Sequence, residues 1–336
     1  LKRPTILDVA ERAGVSKSLV SLVMREPERV SDASREAVLK AAEDLGYRPN
    51  AVARSLVQQR THVIGVVLAD LHNPFYADVA DGIESAAVAA GFRTMLSSGY
   101  LDPERERASV ETLLELRVDA LISLGSMMEV SELEKVGESV PVTAVGRETD
   151  VPTVDTVGVD EDAGARVAVE HLISLGHRDI THIHAGTAAG AQGRRTGYEE
   201  AMSDHGLAPH IRCVAGAFTE SGGARAMTEI LDSGEVPTAV FAPNDAAALG
   251  AMDTIDSAGL SIPGDISLVG YDNLAIAGLP RIGLTTVGQP REDLGEYAVR
   301  LVLERLNENR VAPRRVVVPP FLVIRDSTGP PRRRGR

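Results

Sequence analysis

Apolar residues recur at helical spacing in two short runs near the start of the chain. Ile6, Val9, Ala10 and Ala13 share one face, Gly14 ends that run, and Leu19, Val20 and Val23 share a second face. Thr5 followed by Asp8 has the form of a capping box, and Ser16 is a good N-cap for the second run. The pattern predicts two short helices around a glycine turn, with Ser16-Lys17-Ser18 pointing outwards. An outward helix start suits the major groove of DNA, which is read by side chains near a helix N-terminus. A helical hairpin within a bundle is the alternative reading. Ser31 can cap a third helix, Asp32 to Leu45, with Ala33, Ala37, Val38, Ala41 and Leu45 facing inwards. Gly46 ends it, and Tyr47-Arg48-Pro49 forces an extended stretch. Asn50 then caps a very short helical run from Ala51 to Val57, and Gln58 to Thr61 reads as a linker.

From His62 the texture changes. VIGVVLAD is a continuous apolar run of the kind found in a buried parallel strand. A helix from Pro74 to Ala90 follows, then strand Arg93–Ser97, helix Pro103–Leu116, strand Ala120–Ser123, helix Ser131–Val136 and strand Val142–Val145. A second set begins with helix Asp162–Leu175, strand Ile180–His184, helix Gly193–His205 and strand Arg212–Gly216. It continues with helix Ser221–Asp232, strand Ala239–Ala242, helix Asp245–Ala258 and strand Ser267–Tyr271. Such regular alternation predicts α/β architecture with parallel sheets, in two doubly wound subdomains behind a small all-α head. Ligands of open α/β sheets sit beyond the carboxyl ends of the strands, so a cleft between the subdomains is the place for one.

Composition narrows the class. The 336 residues are 43% hydrophobic but only 3% aromatic with no Trp, so aliphatic residues build the interior of more than one domain. No stretch approaches about eighteen uninterrupted apolar residues, so no membrane span is expected. LKRPTILDVAERAG lacks the apolar core of a secretory leader, and the single Cys213 fits a reducing compartment, which together predict a cytoplasmic protein. Cys213 itself, beside Ile211 and Val214, reads as a small buried or half-buried residue. The net charge of −13 is unevenly placed. Residues 1–60 hold eleven Lys and Arg against eight Asp and Glu, and the remainder holds 24 against 40. The segment that looks like a DNA reader is the basic one, as phosphate contact requires.

The head T-I-x-D-V-A-x-x-A-G-V-S, the segment LGYRPNAVARSL, and the pieces LISLGHRDI, NDAAALGAM, IPGDISLVGYDN and LTTVGQP together resemble the lactose/galactose-repressor family, from about Thr5 to Asp326. The resemblance implies a helix-turn-helix head, a hinge helix and a core like the periplasmic sugar-binding proteins. It implies a homodimer on a near-palindromic double-stranded operator, with a small molecule, most simply a sugar, altering operator affinity. It places Thr5, Ser16, Lys17, Ser18, Ser21 and Leu22 at the groove, and Asn50, Ala53, Arg54 and Leu56 in the hinge helix. Leu56 takes the place of the leucine that wedges into the minor groove. Leu22 departs from the polar or basic residue of many relatives, leaving contact with a thymine methyl or packing within the head. Seven residues do not hold a helix alone, so the hinge is expected to order only with two chains and DNA. That arrangement supplies a switch.

For the cleft the resemblance implies Phe75, Tyr76, Arg194, Phe218, Asn244, Asp272 and Gln289. An arginine fork, an acid and an amide around an aromatic platform suit the polyol edge and flat face of a sugar. Asn244 can equally cap the helix that it opens, and Gln289 can serve packing at a crossover. Ala188, Ala189 and Gly190 stand where some relatives place polar contacts, so a purine base or a phosphorylated sugar stays open as effector. The expected divisions are a head at 1–48, hinge and linker at 49–61, a core at 62–329 and a basic tail at 330–336. Within the core, one subdomain takes 62–160 and 290–319, the other 161–289 and 320–329.

Other signals carry less. Gly186, Gly190 and Gly193 mimic a phosphate loop but lack both the dinucleotide and the Walker pattern. His182 and His184 alternate on one strand without a third ligand, and read as half-exposed strand residues. No nucleophile, base and orienting carboxylate combine, so neither enzyme activity nor a cofactor or metal is expected. The tail GPPRRRGR holds no leucine heptad, which favours a dimer over a coiled-coil tetramer. The competing reading is a solute-binding protein without DNA function.

Overall fold

The computed structural model describes residues 4–48, 60–308 and 310–332. The chain divides into two compact units, residues 1–61 and 62–336. The hinge positions Asn50, Ala53, Arg54 and Leu56 lie outside the described residues.

The first unit contains helices α1 (Ile6–Ala13), α2 (Lys17–Arg25) and α3 (Asp32–Leu45). The capping box forms: Asp8 N–H donates to Thr5 Oγ1 at 3.4 Å, and Thr5 N–H donates to Asp8 Oδ2 at 2.7 Å. Gly14 stops α1 in the left-handed region at φ 66°, where a side chain would be strained. Val9, Val20, Val23, Val38, Ala41 and Ala42 make one small core, while Leu19 is only half-buried. Ala33 and Ala37, expected inside, are exposed. The inner stripe of α3 runs instead through Ser34, Val38, Ala41, Ala42 and Leu45, rotated by one position.

The second unit has two lobes. The first is a parallel sheet in the order β11-β5-β4-β3-β1-β2. Its strands are β1 (Val63–Leu68), β2 (Arg93–Ser98), β3 (Ala120–Leu124), β4 (Val142–Val145), β5 (Val154–Val159) and β11 (Arg315–Val318). Helices α4 (Pro74–Ala89), α5 (Pro103–Glu115), α6 (Val130–Gly137) and α11 (Arg291–Glu308) belong to it. The second sheet runs β12-β10-β9-β8-β6-β7. These strands are β6 (Ile180–His184), β7 (Arg212–Ala215), β8 (Ala239–Phe241), β9 (Ser267–Asp272), β10 (Thr285–Gly288) and β12 (Phe321–Val323). Only β12 is antiparallel to its neighbour. Helices α7 (Glu161–Ser174), α8 (Ala191–Asp204), α9 (Glu220–Asp232) and α10 (Asp245–Ser257) complete this lobe. The chain passes between lobes after β5, after β10 and after β11.

The elements read from the alternation appear within two residues of their expected ends. Strand β5 was not among them. Its Asp155 is wholly buried, and its carboxylate accepts from Arg305 Nε at 2.9 Å, Arg310 Nη2 at 2.5 Å and the Arg314 backbone N–H at 2.7 Å. Burial works against that charge, yet the arginines and the backbone donor hold the acid below its ordinary range. One carboxylate thus ties β5 to α11 and to the entry of β11. His182 also corrects the reading of half-exposed strand histidines. It is fully buried, stacked on Phe241 at 4.8 Å, and pushed down to about 3 by burial. Ile180 and Phe241 on the His182 face join one core cluster and Ile183 on the other face joins another, so both faces of β6 are covered.

Candidate functional site

In the first unit, Ser16 Oγ accepts from Leu19 N–H at 3.1 Å and so starts α2. Ser16, Lys17 and Ser18 are exposed on its first turn, and Ser21 and Leu22 are half-buried one turn later. Leu22 stands outside the hydrophobic cluster of this unit. The Thr5 hydroxyl faces Asp8 Oδ2 at 2.7 Å, within the capping box. An exposed helix start with hydroxyl and ammonium groups can meet phosphates and base edges.

In the second unit the expected cleft residues come from both lobes. Asn73 caps α4 by accepting from Phe75 N–H at 3.0 Å, which puts Phe75 and Tyr76 just beyond β1. Their rings meet edge to face at 5.5 Å. The Tyr76 hydroxyl packs over Gly125, at the end of β3, where a Cβ would collide with it. The phenol is pushed up to about 12 by burial first, then by Asp272, with Asp70 and Glu161 adding and Arg194 opposing. Tyr76 of the first lobe therefore lies within electrostatic reach of three charged groups of the second.

Arg194, on α8, is buried. Its Nε and Nη2 donate to the two Glu161 oxygens at 2.8 and 3.3 Å, and Nη1 donates to Pro243 O at 2.5 Å. The guanidinium carbon lies 3.7 Å from the Tyr271 ring centre and 5.2 Å from that of Phe218. Asp272 ends β9 at φ 109°, and its Oδ1 accepts from Gln289 Nε2 at 2.6 Å. Burial pushes its carboxyl up to about 7, with Arg194 opposing and Asp245 adding. Asp245 is also buried and pushed up to about 6, although it accepts from Thr286 Oγ1 at 2.6 Å and Leu274 N–H at 2.7 Å. Asn244 does cap α10, accepting from Ala247 N–H at 2.9 Å. Its Nδ2 donates to Phe218 O at 3.2 Å and so also fixes the aromatic platform.

Tyr76, Arg194, Phe218, Asp272 and Gln289 are thus linked by contact or charge, with Phe75 beside Tyr76 and Asn244 behind Phe218. Glu161, Tyr271 and Asp245 belong to the same constellation and were not singled out from the sequence. The sequence reading begins that helix at Asp162, one residue after Glu161. A cavity of about 700 Å3 opens beside it, walled by Gly146–Glu148, Thr156–Asp162, Gly190, Gly193 and Arg315–Val317. Among the described residues no cluster of His, Cys, Asp and Glu is arranged to hold a metal. No helix there is long and apolar enough to cross a membrane.

Comparison with known proteins agrees with both units. Residues 5–50 match the family described as bacterial regulatory proteins, lacI family, and residues 169–328 match a periplasmic binding protein-like domain. The chain is 36% identical over 331 residues to the HTH-type transcriptional regulator GalR of Escherichia coli K12, covering 97% of this chain and 96% of that one. It is similar to the lac repressor dimer bound to operator and an anti-inducer, with 30% identity and a TM-score of 0.87 over 98% of this chain and 100% of that chain. It is also similar to the transcriptional regulator CelR in complex with cellobiose, with 32% identity and a TM-score of 0.72 over 97% and 100%.

Proposed function

The chain belongs to the lacI family of bacterial regulatory proteins and is a DNA-binding transcriptional regulator, not an enzyme; from this we propose that it is a homodimeric, cytoplasmic repressor of a near-palindromic operator, controlled by a sugar or sugar derivative between its lobes. The observation that carries the effector reading is the group of buried Arg194 paired with Glu161 and buried Asp272 bonded to Gln289, with Tyr76 of the other lobe in electrostatic reach. A ligand that touches both sides favours one lobe arrangement, and only such a difference in affinity can shift an equilibrium. CelR, a similar protein, is complexed with the disaccharide cellobiose, which supports a sugar in this cleft.

Residues 1–48 act as the DNA head and residues 49–61, with Asn50, Ala53, Arg54 and Leu56, as the hinge, Leu56 entering the minor groove. The core at 62–329 senses the effector through Phe75, Tyr76, Arg194, Phe218, Asn244, Asp272 and Gln289. Ser16, Lys17, Ser18, Ser21 and Leu22 read the major groove, with Thr5 at the start of the head. Dimerisation is supported by edge strand β2, which exposes Met95 and Leu96, and by exposed Val88, Tyr100 and Leu101.

Operator sites selected from random DNA, followed by mobility shift with the full chain, test this reading. Lys17→Ala is expected to weaken binding about tenfold or more, the scale of a lost base or phosphate contact. Arg194→Ala is expected to keep operator binding and lose the response to a sugar found by thermal-shift screening. Loss of both activities in Arg194→Ala would make that arginine a part of the scaffold instead.

A further inference from the structure

Glu161 opens α7 where the chain first enters the second lobe. Both of its oxygens face Arg194, at 2.8 and 3.3 Å, in a two-point ion pair. The third guanidinium nitrogen is taken by Pro243 O, and the Tyr271 ring lies against the planar group. The arginine fork is therefore engaged by the protein, with its charge already compensated. The glycines that mimic a phosphate loop have a different use here. A Cβ on Gly190 would stand 2.7 Å from Glu161 Oε1, and one on Gly193 would stand 2.8 Å from Glu161 Cβ. Gly190 and Gly193 thus make room for the acid side chain.

The neighbouring cavity leans the same way. Its walls carry Arg147 and Arg315 against Glu148, Asp160, Glu161 and Asp162. Arg315 pairs with Glu148, and Arg147 donates to the carbonyls of Ser126 and Met128. An anionic ligand beside Glu161 meets the four carboxylates of this cavity against Arg147 and the Glu148-paired Arg315, and finds the Arg194 guanidinium already paired with Glu161. Like charges brought together in a partly desolvated site disfavour binding, and this is how charge sets specificity.

We infer that Glu161 is a specificity-determining residue that makes the cleft take an uncharged polyhydroxylated ligand in preference to its phosphorylated or carboxylated counterpart. The inference rests on the effector reading given above. Gly190 and Gly193 seat the acid, and Arg194 serves as its partner before it serves as a ligand contact.

The test uses the full chain and matched pairs in titration calorimetry: glucose with glucose 6-phosphate, galactose with galacturonate, ribose with ribose 5-phosphate. The neutral member of any pair that binds is expected to bind at least about tenfold more tightly. Glu161→Gln, which keeps the shape and removes the charge, is expected to cut that ratio about tenfold by improving the anionic member. Glu161→Asp keeps the charge and is expected to keep the preference. An ester or acid that binds wild type as tightly as its parent sugar overturns the inference, and so does a ratio unchanged in Glu161→Gln. A second readout needs no sugar. Inorganic phosphate at constant ionic strength is expected to raise the melting temperature of Glu161→Gln more than that of wild type. Equal effects overturn the inference. If none of the sugars binds wild type, the effector reading falls, and the phosphate readout still decides the role of Glu161.

Discussion

The two lobes share a design, a six-stranded largely parallel sheet between helices, but differ in what their buried charges do. In the first lobe Asp155 binds Arg305 and Arg310 near the amino end of β5, whereas Tyr76 follows the carboxyl end of β1. Glu106, also buried, accepts from Ser126 Oγ at 2.6 Å and Met127 N–H at 2.7 Å, bracing the loop after β3. These carboxylates are satisfied by the lobe's own donors. In the second lobe Arg194, Glu161, Asp272 and Asp245 gather at the carboxyl ends of the strands, and burial leaves both aspartates shifted upwards. Of the cleft residues expected from the sequence, the first lobe brings the aromatic pair Phe75 and Tyr76, and its Arg291 donates to the carbonyls of Asp272 and Asn273. On the proposed reading one lobe is chiefly scaffold and dimer interface, and the other holds the recognising groups in advance. A strongly perturbed acid in a cleft is a functional-site candidate.

The largest effect expected from this contrast is on stability. Asp155→Asn leaves Arg305 buried without its anion and Arg310 with Glu304 alone, and breaking a buried pair typically costs about 3–5 kcal/mol. Denaturant unfolding checks it, and a loss near that of a surface substitution would remove the scaffold role. Because the folded pKa of Asp155 is lowered, its contribution is present above the unfolded value. It is lost as pH falls through the lowered folded value.

Asp272 is expected to show the opposite slope. Its carboxyl is raised to about 7, so the folded state holds the proton more tightly than the unfolded chain. Its contribution is full below the unfolded value near 4 and declines as pH rises to about 7. Asp272→Asn removes that decline, so melting curves between pH 4 and 8 should flatten relative to wild type. Its ligand affinity should fall as well. A pH profile unchanged by the substitution would place Asp272 among the satisfied acids of the scaffold type.

The smallest effect concerns the first lobe's contribution to the cleft. Tyr76→Phe keeps the ring and removes the hydroxyl that packs over Gly125. It is expected to weaken a bound sugar by about 0.5–1.5 kcal/mol, the net scale of one hydrogen bond, with little change in melting temperature without ligand. Calorimetry on Tyr76→Phe and Arg194→Ala side by side shows whether the lobes contribute as unequally as their charges suggest.

Much of the fold was legible because its strands are continuous apolar runs, such as VIGVVL, separated by capped helices. Strand β5 was hidden for the same reason that it matters. Asp155 and Thr156 look like loop residues until arginines about 150 positions later in the chain come to bury the acid. His182 was misread because alternation cannot tell a strand covered on both faces from one half in solvent. At the cleft, Arg194, Phe218 and Asp272 came from family resemblance, and the local cap role of Asn244 from its place before a helix. Glu161 and Tyr271 stayed silent, since each acquires meaning only through the distant guanidinium of Arg194.

The central claim is that ligand in the cleft controls DNA affinity at the head. Fluorescence anisotropy on a selected operator, with wild type and Arg194→Ala, measures it directly, with and without a saturating sugar that raises the melting temperature. An operator affinity that the sugar changes about tenfold or more in wild type, the range of ordinary allosteric coupling, and leaves unchanged in Arg194→Ala is the predicted result. A sugar that binds the wild-type cleft and leaves operator affinity the same would contradict it.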